Sequence, residues 1–404
     1  MPSAPQVQLS MKQVLICGAL IVTLSMGIRH GFGLWLQPVT ADRGWTRETF
    51  AFALAVQNLA WGLAGPIAGS LADRFGAYRV LMVGSVLYAL GLVLMGLSTS
   101  GLAFMGSAGV ILGLAQSGTT YAVVYGVISR QVAPEKRSWA MGVAAAAGSF
   151  GQFLMVPVEN WLIGSFGWQN ALFVLGCLAL AIVPLSRGLR EPVAAAATGV
   201  QQSISAALRE AFAYPSFRLL MAGYFVCGFQ VVFIGVHMPS YLRDKGLGPE
   251  LATGALMLIG LFNVFGTYIA GSLGQRMAKR YILAAIYGSR GVAILAFINL
   301  PLTPMSVYIF SATMGFLWLS TVPPTNAIVA QIFGVKYMSM LGGVVFLSHQ
   351  IGSFLGVWLG GKLYDTTGSY DIVWSLSIGL SVFAMLINLP VKETAIERPQ
   401  LQAA

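Results

Sequence analysis

A charged or titratable side chain costs about 2.5–3.5 kcal/mol when it enters the middle of a membrane-spanning helix, so each one there needs a partner or a task. Six stand inside strongly apolar runs of this chain: Arg29, His30, Glu159, His237, Arg290 and His349. Arg29 suggests the most definite chemistry. A guanidinium is a planar fork of donors that fits a carboxylate through two parallel hydrogen bonds. No acidic residue lies deep in another apolar run to neutralise it permanently, so a substrate anion is its expected partner. The alternative is that Arg29 bonds helix carbonyls or reaches outward to the interface. His30 adjoins it, but neighbours on a helix point about 100° apart, so only one of the two is expected to face a site fully. His349 sits in Ser348-His349-Gln350, three polar residues in a row. Binding, proton transfer and simple packing all suit it. Arg290 reads as a brace between helices, and His237 and Glu159 fall toward the outer ends of their runs.

Uncharged side chains complete a plausible pocket. Gln116 and Thr120 are four apart and share a helix face, with Tyr121 beside them. Gln57, Asn58 and Trp61, then Gln152, Gln230, Asn263 and Trp318, are spread over other runs. Many such residues only hold helices together.

The elements that must position these residues follow from composition. Of 404 residues, 57% are hydrophobic and 9% are charged, against about 25% charged in a soluble domain. That excludes a soluble enzyme, a disordered chain and a nucleic-acid binder. Twelve apolar runs reach the roughly 20 residues needed to cross a bilayer. They cover about 13–39, 48–71, 80–98, 102–129, 138–162, 168–187, 217–242, 250–273, 281–300, 304–333, 337–362 and 370–390. The expected fold is an all-α membrane protein, with a bundle over 1–190, a linker over 191–216 carrying a short amphipathic helix, and a bundle over 217–404. With both termini in the cytoplasm, 16 basic residues fall inside and 5 outside, with Arg29 and Arg290 in the spans. The positive-inside rule selects this orientation, and it accounts for most of the +10 net charge. Cys17, Cys177 and Cys227 lie in apolar runs and suggest packing rather than disulfides or metal.

The halves carry a weak repeat. Gly69-Ser-Leu-Ala-Asp-Arg-Phe-Gly-Ala-Tyr-Arg79 returns as Gly271-Ser-Leu-Gly-Gln-Arg-Met-Ala-Lys-Arg280, 202 residues later. Paired six-span halves are what rocking transporters use to build a site near the midplane. Pro323-Pro324 must interrupt the tenth span. Gly109 and Gly113, and Gly352, Gly356 and Gly360, suit closely packed helices.

Gly69, Asp73, Arg74, Gly76 and Arg79 match the G-x-x-x-D-R-x-G-x-x-R loop, and with twelve spans the chain resembles the major facilitator superfamily. The resemblance implies two pseudo-symmetric six-helix bundles around a cavity open alternately to each side. It also implies that Asp73 and Arg74 form a conformational latch, with Asp73 near the start of the eleventh span, where the helix dipole favours a carboxylate. The C-terminal copy has Gln275 in place of the Asp. A narrower resemblance, to bacterial relatives of the monocarboxylate transporters and oxalate–formate antiporters, rests on Gly27-Ile-Arg29-His30-Gly-Phe-Gly33, Gly44-Trp45 and Thr321-Val-Pro-Pro-Thr325. Anion carriers of that group place basic residues in C-terminal helices, commonly the eighth; Arg290 here falls in the ninth.

The resulting expectation is a secondary transporter in the inner membrane that moves a small organic anion, a monocarboxylate, with protons. It would act as a monomer without cofactor, metal or nucleic acid. No Gly-Lys-Ser/Thr phosphate loop is present. Anion exchange, uptake of a vitamin or aromatic acid, and drug export are the competing transport readings. An intramembrane enzyme would need a nucleophile–base or metal cluster that the scattered histidines do not form.

Overall fold

A computed structural model describes residues 10–132, 134–190, 204–334 and 338–396, without the side chains of 73, 129–130, 134–139, 204 and 338–339. The described chain is helical throughout, with no strands. Eleven helical rods are long and apolar enough to cross a membrane. One of them, Ala140–Leu189, has 50 residues. It reverses at Gly167, where φ is 79° and ψ 159°, a backbone only glycine adopts easily. It therefore makes two crossings, giving twelve.

Spans 1 to 4 are Met11–Arg43, Arg47–Phe75, Ala77–Leu97 and Gly101–Gln131. Spans 5 and 6 lie before and after Gly167. Spans 7 to 9 are Pro215–Asp244, Pro249–Leu273 and Lys279–Asn299. Spans 10 to 12 are Pro304–Phe333, Met338–Thr367 and Asp371–Asn388. The short helix Ile204–Ala213 precedes span 7. Residues 191–203 of the expected linker lie outside the described residues.

Spans 1 to 6 pack among themselves, as do spans 7 to 12. The two bundles meet where span 2 lies along span 11, span 5 along span 8, and the outer part of span 1 along span 7. Both described termini lie at one end of the bundles, called here the terminal end; the loops after spans 1, 7 and 11 mark the far end. Glycines set the closest approaches. A Cβ at Gly352 or Gly356 would stand 1.9 or 2.2 Å from a carbonyl of span 7. At Gly109 and Gly113 it would meet carbonyls of span 2 at 2.9 and 2.6 Å.

The tenth span breaks at 318–321, between Pro304–Leu317 and Val322–Phe333. Pro323 and Pro324 supply no N–H to the turn before them, so the ladder fails one turn upstream of the prolines. Span 4 breaks as well, at Thr120, with φ −109° and ψ −164°, after a wide helical turn over Met105–Ile111. No proline announces that break.

The far end is closed between the bundles. Arg47 forms a two-pronged bond with Asp244, both contacts at 2.6 Å, and donates to Tyr370 Oη at 2.9 Å. Asp365 accepts from the backbone N–H groups of Arg47 and Glu48 at 3.2 and 2.6 Å. A carboxylate thus caps the N-terminus of span 2, where the helix dipole favours it. Lys362 and Trp358 reach Glu48 Oε1 at 3.2 and 3.1 Å.

Candidate functional site

Arg29 and His30 occupy the last turn of the first helical segment of span 1, before it tightens at Gly31–Trp35. They turn in different directions, as adjacent helix positions must. Arg29 faces span 2: its Nη2 donates to Asn58 Oδ1, and its guanidinium carbon lies 4.9 Å over the ring of Trp61. Its Nε is buried without a partner, and no ion pair to it is found among the described residues. His30 faces the other bundle, with Nε2 3.2 Å from the Leu256 carbonyl of span 8. Its ring is edge-on to Trp318 at 6.2 Å.

The Arg29 cluster crosses the bundle interface by two routes. One is hydrogen-bonded. Gln350 Nε2 of span 11 donates to the Asn58 carbonyl at 3.0 Å, and Gln350 Oε1 lies 3.0 Å from His349 Nδ1. The other is aromatic: Trp61 meets Phe346 at 5.3 Å, and Phe346 stacks on the His349 ring at 5.8 Å. Tyr224 of span 7 covers the imidazole at 4.9 Å. His349 Nε2 is buried with no partner. Arg29 and His349, 320 residues apart, thus belong to one cluster with an unpaired polar nitrogen on each side of the interface. Buried polar atoms rarely go unpaired, so such atoms ask for an explanation.

Arg290 is different. It is fully buried inside the C-terminal bundle. Its Nη2 donates to the carbonyls of Leu317 and Trp318 at 2.6 and 2.5 Å and touches Cys227 Sγ at 3.5 Å. Its Nη1 donates to Gln230 Oε1 at 3.4 Å. Gln230 is itself tied to Ser377 and Ser381 of span 12. Arg290 therefore satisfies the carbonyls freed where span 10 breaks, and Gln230 lies in that network rather than between the bundles.

Three other expected site residues belong to the N-terminal bundle. Gln116 is fully buried beside Tyr88, whose hydroxyl donates to the Ser25 carbonyl at 2.9 Å. Thr120 returns its hydroxyl to the Gln116 carbonyl at 2.8 Å. Tyr121 stacks near Tyr125 at 5.4 Å and packs against Gly148 of span 5. His237 is sealed under the far end, between Tyr370 Oη at 3.2 Å and the Val357 carbonyl at 2.8 Å.

Of the latch residues, Gly76 has φ +87°, and the turn needs glycine there. Gly69 lies within span 2, where an added Cβ would meet nothing within 4 Å. Arg74 lies 5.2 Å over the ring of Phe75, and Arg79 is exposed. The Asp73 side chain and residues 335–337, which precede span 11, lie outside the described residues. Among the described residues no cluster of His, Cys, Asp and Glu has the arrangement of a metal site.

Asn58, Gln350 and Phe346 complete the Arg29 cluster. Their pairings link residues some 290 positions apart and leave no local pattern; Asn58 was a candidate by residue type, and the polar triplet 348–350 was the signal for Gln350.

Comparison with known proteins agrees with this architecture. A profile described as Major Facilitator Superfamily matches residues 15–357. Monocarboxylate transporter 13 of Bos taurus is 25% identical over 379 residues, covering 91% of this chain and 86% of that one. An uncharacterised MFS-type transporter, YcxA of Bacillus subtilis, is 22% identical, with 96% and 97% covered. Among solved structures, a D-xylose-proton symporter superposes with a TM-score of 0.74 at 14% identity, covering 95% and 98%. A bacterial homologue of the lysosomal transporter Spinster, inward-facing and occupied, gives 0.73 at 16%, covering 94% and 96%.

Proposed function

The chain belongs to the Major Facilitator Superfamily, and on that premise we propose that it carries a small organic anion, a monocarboxylate, seated on Arg29. One observation carries the reading. Arg29 is a cation at the bundle interface whose protein contacts are a neutral amide and an indole face, with Nε unpaired. A carboxylate arriving there meets charge and fork geometry together. His349, across the interface with a free Nε2, offers a second polar contact from the other bundle. A ligand touching both bundles changes its contacts when they rock, and such differential binding lets a substrate drive a conformational cycle. The monocarboxylate transporters among the relatives favour the same substrate class.

Trp61, Phe346 and Tyr224 around this cluster favour a second reading, an aromatic monocarboxylate whose ring stacks on them. In either case the protein acts as a proton-coupled monomer in the inner membrane, with both termini in the cytoplasm and Asp73 and Arg74 as the latch at that face. The far end, closed here, is then the external one.

The test is uptake by proteoliposomes. Labelled L-lactate, pyruvate and benzoate are offered under an inward proton gradient. Accumulation of one of them, removed by added unlabelled acid and by Arg29→Gln, is expected. Transport of an amine instead of any acid contradicts the reading.

A further inference from the structure

Glu159 of span 5 takes no part in the anion seat. It is fully buried, and neither carboxylate oxygen has a hydrogen-bond partner. The ion pairs among the described residues lie at helix ends instead, at Arg47–Asp244, Lys362–Glu48, Lys279–Glu393 and Arg43–Asp42.

Its position is built by close packing. A Cβ at Gly31 would stand 1.3 Å from Glu159 Oε2. One turn back, a Cβ at Gly27 would stand 2.5 Å from Met155 Cγ. One turn further, a Cβ at Gly151 would stand 2.2 Å from the Thr23 carbonyl. The pairs 23/151, 27/155 and 31/159 keep a constant offset of 128, so spans 1 and 5 lie side by side in register. The carboxyl group is the outermost rung, and glycine stands opposite it because nothing larger fits.

The same carboxyl stands near the seam between bundles. Ser149 and Gln152 contact Asn263 of span 8, and Glu159 lies two turns beyond Gln152 on that face of span 5. Two turns outward along span 8 from Asn263 is Leu256, whose carbonyl meets His30. Spans 1, 5 and 8 therefore converge at the level of Glu159. The charged and titratable groups around it are few. Span 1 supplies Arg29, turned to Asn58 and Trp61, and His30, turned to Leu256. Span 3 supplies Tyr88, within electrostatic reach and committed to Ser25. Span 4 supplies Tyr121 and Tyr125, lower down near Gly148. Span 8 supplies Glu250, in the first turn at the far end. Among the described residues no cation pairs with Glu159.

An unpaired carboxylate sealed from water is far costlier than the neutral acid. We propose that closing the far end takes up one proton on Glu159, and that opening it, by parting span 5 from span 8, hydrates the carboxyl and lets the proton go. The group binds H⁺ on its carboxylate and releases it unchanged, with no other bond made or broken. The idea rests on the alternating-access reading above; because the proton enters and leaves with the closing and opening of one end, Glu159 sets the pH at which that end opens and is not the carrier of a transported proton.

Ser240 reports the far end without a substrate. It is buried, and its carbonyl accepts from Gln37 across the seam. The Ser240→Cys protein in liposomes is labelled with a membrane-impermeant maleimide from pH 5.5 to 8.5, each rate divided by that of the denatured chain at the same pH. Labelling should rise at least about tenfold with pH in the Glu159 protein, because the ionised form favours the open end. In Glu159→Gln it should stay at the low value throughout, because the amide mimics the neutral acid. A pH slope unchanged by Glu159→Gln overturns the proposal, as does a flat profile in the parent. If Glu159→Gln does not fold, Glu159→Asp serves: it should keep the slope with a shifted midpoint, and an unshifted midpoint counts against the proposal. Lactate is absent throughout, so failure of the anion reading shows in uptake and failure of this one in labelling.

Discussion

Arg29 and Arg290 are two arginines far from the ends of their spans, and they solve the same problem in different ways. Each removes a permanent charge from water at a cost that must be repaid locally. Arg290 makes its bonds inside one bundle, to two carbonyls, a carboxamide and a thiol, and only its Nε has no partner. It mends the span-10 break, so its role is to hold a shape. Arg29 lies on the seam between bundles with one amide acceptor and an indole face; its Nε, like that of Arg290, has no partner. Its account is incomplete within the protein, which is what a seat for an external anion requires. A buried charge alone therefore says little about function; the number of its bonds and whether they stay inside one rigid body say more.

The largest effect should come from removing the arginine with more bonds, Arg290. Arg290→Ala leaves the Leu317 carbonyl buried without its donor and the Trp318 carbonyl with only the Cys227 thiol at 3.9 Å, at about 1–3 kcal/mol for each bond lost. A melting temperature lowered by many degrees, or loss of monodisperse protein in detergent, is expected. A melting curve like that of the parent would break the contrast from the Arg290 side.

Arg29→Gln should do the reverse. Folding should be retained within about 1 kcal/mol, while affinity for the acid falls about 10- to 100-fold, the equivalent of a charge-assisted bond of about 1.5–3 kcal/mol. Uptake against concentration reads this directly. A smaller loss is expected for Gln350→Ala, which cuts the hydrogen bond from span 11 to the Asn58 carbonyl. About 1 kcal/mol, or roughly fivefold, should appear in the transport rate, with stability little changed. Arg29→Lys keeps the charge and loses the fork, so it should fall between Arg29→Gln and the parent. Equal behaviour of Lys and Arg would show that charge alone does the work.

Much of this contrast was readable before the fold. Hydropathy alone located twelve spans, because a long apolar helix satisfies its own backbone in lipid. The prolines announced the span-10 break, since an absent N–H has a fixed local consequence. The span-4 break at Thr120 had no such sign. Arg47 illustrates another limit. By sequence it is one more basic residue beside a loop, whereas its partner Asp244 lies 197 residues away in the other bundle. The cluster around Arg29 was half visible: the arginine, Asn58, Trp61 and His349 were candidates, but that Gln350 and Phe346 join them follows only from how span 2 packs on span 11. Gly31 stood in the sequence only as part of a family motif; that it makes room for Glu159 follows from how span 1 packs on span 5.

The central claim is that Arg29 is the anion seat. Equilibrium binding of L-lactate, pyruvate and benzoate to the purified protein tests it most directly, comparing the parent with Arg29→Gln. The account predicts that at least one acid binds the parent and binds the variant at least about tenfold more weakly, with unchanged thermal stability. Equal affinity in the two proteins would contradict it.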